Sequence, residues 1–485
     1  MVMNMDNLKY IKEKLGNSFD VKYRPVKTIL GKATIVFIDD LCNSKSISEY
    51  VVAPLRESAD ISLDDKKDKN LDYVIENILD INALGISKDQ DDAIMHILSG
   101  DPAVVFENYN EILYVETKGF PVRGVGTPET ESVLKGPREG FNELIVNNVA
   151  LIRRRIKNPD LKFEAIVVGE KSQTSIAVCY LDGIAPKKLI DNIKEKVESL
   201  DLRFILDTNY IEDALKSQNS IFDTVGYTEK PDEVCAKLLE GRVGVIVDGT
   251  PFVITVPYFF LENFQMPDDY YMNRYYTNFN RVLRWLAFFI ATLLPGLYVA
   301  IITYHFSMIP SLFMFRLAVS RAGVPFPTFI EVIIMMLAFQ FIKEAGLRLP
   351  QPIGGAMSIV SALILGEAAV GAGIASRITI IVVALSTLSY FLIPKLYGAV
   401  SFWAIILVCF SAAFGIPGFL CGALILLVQL AELDSVGFPF LFPIGSVSEY
   451  RFKDIVFRGP LFRISKDFIK KGEKIENEDK NKENN

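Results

Sequence analysis

The sequence predicts a multi-domain protein, with two N-terminal cytoplasmic α/β subdomains followed by an all-α polytopic membrane domain. Three observations predict this. Residues 285–445 carry 11 charged side chains, about 7% of that stretch, whereas the rest of the 485 residues carries 98, about 30%. The first 280 residues alternate between strand-like and helix-like runs. Trp285 to Tyr304 is 20 residues without a charge, about 30 Å of helix at 1.5 Å per residue, which suffices to cross a hydrocarbon core. Half of the residues are apolar and the mean hydropathy is +0.28, high for a chain solvated throughout. The apolar stretch nets +1, so the formal charge of −7 belongs to the solvated parts. That balance argues against nucleic acid as a partner.

The N-terminus lacks an apolar run of the signal-peptide kind, so the part before residue 280 is expected in the cytoplasm. Cys42, Cys179, Cys235, Cys409 and Cys421 are scattered without a CxxC spacing, and His96 and His305 are the two histidines. Neither a disulfide framework nor a zinc site is indicated, and no cofactor is expected. In residues 1–120, Ala33–Asp39 reads as a strand, Ser46–Glu57, Leu71–Ala83 and Asp91–Ser99 as helices, and Ala103–Thr117 as a hairpin turning at Asn108–Asn110. The charged run Asp60–Lys69 reads as a solvated loop. Residues 118–138, rich in Gly, Pro, Ser and Thr, form a linker. They are not a nucleotide loop, because Glu129 stands where GxGxxG requires glycine, and neither GxxxxGK[ST] nor GxSxG occurs.

The second subdomain, within 121–281, reads as a helix at Glu139–Lys157, strands at Phe163–Gly169 and Ser175–Asp182, and a helix at Pro186–Ser199. A hairpin of Val243–Asp248 and Pro251–Pro257 follows, around Gly249-Thr250. Arg153-Arg154-Arg155 ends the first of these helices. The triplet could touch lipid head groups or an acidic neighbour, or form a solvated helix face.

Residues 282–445 form the predicted membrane domain, with four or six crossings. Arg274, Arg281 and Arg284 precede the first span, which places the N-terminal part in the cytoplasm. Met308–Arg321 reads as an interfacial or re-entrant helix. Phe326–Ile342 carries Glu331 and Gln340 on opposite helix faces and runs into Lys343-Glu344. In Ala356–Ile374, Ser358, Ala362 and Gly366 recur every fourth residue, a spacing that permits close helix packing. That segment also holds Glu367, a carboxylate at membrane depth and hence a candidate polar site. Ile378–Ile393 is a further apolar run. Val400–Glu432, about 50 Å as one helix, is too long for one crossing and breaks at Gly415-Ile416-Pro417-Gly418; Gly418 and Gly422 make a GxxxG pair. Residues 446–485 read as an aromatic and basic interfacial segment with a disordered charged tail from Lys466.

The motifs Gly136-Pro137-Arg138-Glu139-Gly140-Phe141 and Asn148–Lys157 resemble those of GerA-type spore germination proteins, the A subunits of germinant receptors. So do Gly241-Arg242-Val243, Val247–Phe252, Arg321–Pro327, and Glu344–Pro350 leading into Pro352-Ile353-Gly354. The resemblance runs from about residue 33 to residue 460. It implies a multi-pass subunit of the spore inner membrane, with its N-terminal domain and C-terminal tail on the core side. It also implies assembly with a transporter-like B subunit and a lipoprotein C subunit, and self-oligomerisation into a nutrient-gated cation channel. In the family pattern, carboxylates commonly stand where this chain has Met336 and Gln340. Charge selection would then rest on Glu331, Glu344 or Glu367, with Gln340 as a polar lining residue. Four other readings stand beside this one: helix-contact carboxylates in a scaffold subunit, a secondary transporter suggested by the break near Pro417, an accessory germination paralogue assisting spore ion release, and a membrane-tethered enzyme. The last has no catalytic constellation behind it, so no enzymatic activity is expected.

Overall fold

The computed structural model describes residues 7–16, 18–39, 41–60, 70–81, 83–87, 89–119, 131, 133–217, 220–348, 351–444 and 454–460, with backbone only at 347 and 351–359. The expected loop at 61–69, the linker at 120–130, residues 451–453 and the tail lie outside the described residues.

The first unit runs α1 (Asn7–Leu15), β1 (Val21–Thr28), β2 (Gly31–Ile38), α2 (Ser44–Ile47), α3 (Ala53–Glu57), α4 (Leu71–Asn77), β3 (Leu84–Ser87), α5 (Gln90–Leu98), β4 (Ala103–Phe106) and β5 (Ile112–Val115). Three helices begin where a side chain accepts the orphan backbone N–H groups: Asn43 before α2, Asn70 before α4 and Asp89 before α5. The antiparallel sheet has the order β1-β2-β4-β5-β3. Its central strands are buried on both faces. Ala33 and Ile35 of β2 enter one core with Val104 and Phe106, while Val36 and Ile38 enter the other with Ala103 and Val105.

The second unit runs α6 (Ile145–Arg155), β6 (Leu161–Val168), β7 (Thr174–Leu181), α7 (Lys187–Glu198), α8 (Asn209–Leu215), β8 (Gly226–Thr228), α9 (Pro231–Leu239), β9 (Val243–Val247) and β10 (Val253–Val256), with sheet order β6-β7-β9-β10-β8. Both units follow the same plan: a helix, two paired strands, a helical connection, an edge strand, a helix, then a hairpin. The two α/β units are therefore a structural repeat. The sequence reading lacked α1, β1, β3, α8, β8 and α9, and the repeat was hidden with them.

After α10 (Asp268–Tyr271) the helical body comprises α11 (Arg274–Tyr304), α12 (Ser311–Arg321), α13 (Thr328–Arg348), α14 (Gln351–Gly371), α15 (Arg377–Tyr390) and α16 (Tyr397–Glu432). Two segments, Arg274–Tyr304 and Pro394–Glu432, are long and apolar enough to cross a membrane. The second is not one rod. At Gly415 the backbone leaves the helix (φ 65°, ψ −140°), and the two arms fold back on each other. The Trp403 indole donates to Gln429 at 2.9 Å, and a Cβ at Gly422 would meet Leu407 at 2.9 Å. Gly415 is required on two counts, a positive φ and the Tyr304 side chain 2.9 Å from where a Cβ would stand. Tyr304 also donates its hydroxyl to the Ala412 carbonyl (2.9 Å), one of those freed by the break.

Named contacts fix the directions. Ser386 donates to the Ala291 carbonyl while Tyr298 meets Thr379, so α15 runs antiparallel to α11. Glu331 lies beside Thr379, and Gln340 beside Tyr397, so α13 runs with α15. With α14 returning between them, and with the two arms of α16, the described helical body makes six alternating passes. Its ends near Lys395 and Phe440 abut the second unit. There β11 (Asp434–Ser435) and β12 (Phe438–Pro439) form a small hairpin that inserts Val436 into the core of unit two, beside Val243 and Val256. Phe440 completes a shared apolar cluster with Phe260, Phe288, Ile393 and Leu430.

Candidate functional site

Glu331, in the first turn of α13, is fully buried. Its Oε1 lies 3.2 Å from Arg321 Nη2 at the end of α12. Its Oε2 accepts the Ser376 N–H (3.1 Å) and the Thr379 hydroxyl (2.9 Å). Thr379 in turn contacts Tyr298 and Ser376, each at 3.0 Å. Ser376 is the N-cap of α15 and accepts the Thr379 N–H, so Glu331 places a negative charge at the positive end of that helix. A carboxylate removed from water is tolerable when paired and fully hydrogen-bonded, and each condition is met here. The end of α12 and the capped start of α15 thus converge on a single side chain of α13.

The other polar candidates do not join it. Gln340 accepts a hydrogen bond from the Tyr397 hydroxyl, and Lys343 lies over the Tyr397 ring. Glu344 makes an exposed i,i+4 pair with Arg348 at 2.6 Å. Glu367 is exposed on α14, on the face that also presents Val360, Leu363 and Ile364, which are 47%, 71% and 61% exposed. The three carboxylates and the amide therefore occupy separate surroundings instead of lining one path within a single chain.

Among the packing candidates, a Cβ at Gly418 would run into the Phe410 carbonyl, and Gly422 faces Leu407 and Phe410, so both serve the contact between the arms of α16. Gly366 approaches Ile380 of α15 at an ordinary 3.8 Å. Ala362 is half-buried, and the Ser358 side chain lies outside the described residues.

Of the candidate contact residues Arg153, Arg154 and Arg155, each meets an acidic neighbour within the chain; Arg153 is buried, and Arg154 and Arg155 are partly exposed. Arg153 is 1% exposed and joins the two α/β units. It reaches Asp20 with Nε (2.8 Å) and Nη2 (3.1 Å), Ser18 at 2.6 Å and the Leu161 carbonyl at 2.8 Å. Arg154 and Arg155 share Glu139, each at 2.5 Å. Glu139 is partly desolvated, but the two guanidiniums outweigh that and hold its carboxyl below the usual range. The acidic neighbour was legible as one option for the triplet; its identity was not, because Glu139 lies outside α6 and Asp20 lies in the other unit.

Two further constellations involve the helical body: one ties it to the second α/β unit, the other lies at its start. Lys395, in the turn between α15 and α16, lies 3.3 Å from Glu131 and 4.0 Å from Glu233. Glu233 also pairs with Lys237 at 2.9 Å. Burial drives the Glu131 carboxyl upward, with Glu233 adding to the shift. Glu233 is desolvated too, but Lys237 and Lys395 hold it down to about 2. The second constellation is the neck at the start of α11. There Asp269 accepts from Arg281 (2.9 Å) and Arg284 (2.7 Å), and Asp454, far along the chain, binds Arg281 at 2.5 Å. Of the arginines expected to flank a membrane span, Arg281 and Arg284 are thus ion-paired within the chain, while exposed Arg274 donates to the Arg458 carbonyl. Reading by local spacing could not find these partners; Asp454 lies 173 residues from Arg281, and Glu131 is farther still from Lys395. The Ser376 cap alone carried a local signal, a serine just before an apolar run.

The sequence profile described as Bacillus/Clostridium GerA spore germination protein matches residues 9–467. Spore germination protein KA of Bacillus subtilis (strain 168) is 35% identical over 482 residues, covering 98% of this chain and 87% of that protein. Spore germination protein GerLA of Bacillus cereus is 32% identical, covering 93% and 92%. Among solved structures, the N-terminal domain of the A subunit of the Bacillus megaterium spore germinant receptor GerK3 is similar at 29% identity. That match covers 52% of this chain and 94% of the solved one, with a TM-score of 0.38.

Proposed function

The chain belongs to the GerA family of spore germination proteins, and from that premise we propose that it is the membrane subunit of a spore germinant receptor that oligomerises into a nutrient-gated cation channel. On this reading the six passes cross the spore inner membrane. The soluble units and the C-terminal tail lie on the core side, and a transporter-like B subunit and a lipoprotein C subunit complete the receptor. The chain itself performs no enzymatic chemistry.

The observation that carries the conducting role is the outward-facing Glu367. A carboxylate among exposed Leu363 and Ile364 is costly against lipid. A second copy of the chain, leaving a water-filled path between α14 helices, supplies the environment it needs. Glu331, saturated by Arg321, Ser376 and Thr379, is unsuited to attract ions and instead holds α12, α13 and α15 in register. The transporter reading loses its motive, because the break at Gly415 is the reversal of a helical hairpin and not an unwound stretch inside one pass. Nutrient gating requires only that ligand bind the open assembly better than the closed one.

The test is cation flux through the reconstituted chain, with and without its partner subunits and a nutrient mixture. Glu367→Gln is expected to change ion preference with assembly intact, and Gln340→Ala to leave preference unchanged. Intact assemblies that pass no cation under any condition would reduce the subunit to a scaffold.

A further inference from the structure

The neck holds a feature that the channel reading neither needs nor explains. Residues 454–460 return from the far end of the chain and lie across the junction between α10 and α11. Asp454 binds Arg281 Nη1 at 2.5 Å through Oδ1 and the Tyr270 hydroxyl at 2.7 Å through Oδ2. Its carbonyl accepts from Gln265 at 2.7 Å. Four residues on, the Arg458 N–H donates to Asn278 (2.7 Å), its carbonyl accepts from Arg274 (3.0 Å), and its guanidinium reaches the Asp269 carbonyl. Both ends of the short segment are therefore held by the first three turns of α11 and the residues just before it.

The charges explain why the contact is specific. Without the segment, Asp269 is the one carboxylate facing Arg281 and Arg284 among the described ion pairs of the neck. Arg281 is fully buried, and a buried cation with too few acceptors is strongly disfavoured. Asp454 supplies the missing negative charge. The contact is nonetheless mostly polar, with Ile455 packed half-buried at the edge of the shared apolar cluster. A seven-residue segment held this way opens at far lower free energy than a sheet core.

We propose that residues 454–460 are a detachable staple, an intramolecular ligand of the neck that fixes how α11 leaves the soluble units. When the staple is seated, Arg281 is satisfied and the first turns of α11 are tied to α10. When it is released, Arg281 loses half of its ionic partners and the neck loosens. The inference stands on the neck geometry alone and does not depend on cation conduction.

The experiment is amide hydrogen exchange on the full chain in detergent, comparing wild type with Asp454→Asn and Asn278→Ala. Asp454→Asn is expected to speed exchange across residues 268–284 at least tenfold while β9 and β2 keep wild-type protection. Asn278→Ala, which removes only the acceptor for the Arg458 N–H, is expected to speed exchange at 456–460 with a smaller effect on α11. Unchanged exchange at 268–284 in Asp454→Asn overturns the proposal. If that variant loses protection everywhere, Asn278→Ala decides: wild-type exchange at 456–460 there overturns the staple as well.

Discussion

Glu331 and Glu367 are the same residue type on neighbouring helices of the same apolar body, yet they have opposite surroundings. Glu331 is sealed inside, with a guanidinium, a backbone N–H and a hydroxyl on its two oxygens. Glu367 points outward from α14 among apolar side chains. The difference shows that a carboxylate in an apolar helix has no fixed meaning. Its surroundings are set by what the returning helices bring to it, so one is a joint between helices and the other stands on an outer face.

The most direct way to break this comparison is to remove the joint. Glu331→Ala leaves Arg321 without its counter-ion and the first turn of α15 without a capping charge. The expected loss is about 3–5 kcal/mol, the range for breaking a buried pair by deleting one partner. It is read as a fall in thermal or denaturant midpoint of the detergent-solubilised chain. A change below about 1 kcal/mol would mean that Glu331 is not held as described.

A half-buried carboxylate without a strong cationic partner sharpens the contrast. Burial pushes the Glu212 carboxyl of α8 up to about 7; the Thr208 hydroxyl partly offsets this, and Asp223 and Asp207 add to it. Its folded value lies above its unfolded one, so between about pH 4.5 and pH 7 the folded chain binds the extra proton. Stability from this group is therefore present at low pH and is lost as pH rises through that window. Glu212→Gln is expected to flatten that decline and to raise stability at pH 7.5 by about 1–2 kcal/mol, discounted for partial exposure. Parallel pH–stability curves for variant and wild type would contradict it. For Glu331 the environment supplies donors and a cation; for Glu212 it mainly withholds water.

These distinctions mark where the sequence is legible. Strand Gly31–Ile38, the hairpin at 103–115, helix α5 and the reversal at Gly415 all follow from periodicity and turn residues, which act locally. Edge strands β3 and β8 are four and three residues long, too short for an alternation to register. The repeat of the two units therefore emerges only from pairing order. At the candidate sites the chain shows that Glu331 and Glu367 are costly, but not which one is compensated. Arg321 ends α12 while Ser376 and Thr379 begin α15, and their convergence on Glu331 of α13 is tertiary. Likewise Arg153 reads as the start of a basic surface run, yet Asp20 from the preceding unit buries it.

The smallest expected effect tests the outward side of the comparison. Glu344 and Glu367 are both exposed in the single chain, but Glu344 has Arg348 one turn away and Glu367 has apolar neighbours. Glu344→Ala is expected to cost less than about 0.5 kcal/mol, as exposed i,i+4 pairs do, with the residual shrinking in high salt. Because that ion pair is complete within one helix, the variant should also leave cation preference and assembly unchanged. If Glu344→Ala altered ion preference as strongly as Glu367→Gln, exposure alone would be governing the path. The absence of an intrahelical partner, which distinguishes Glu367, would then carry no functional weight.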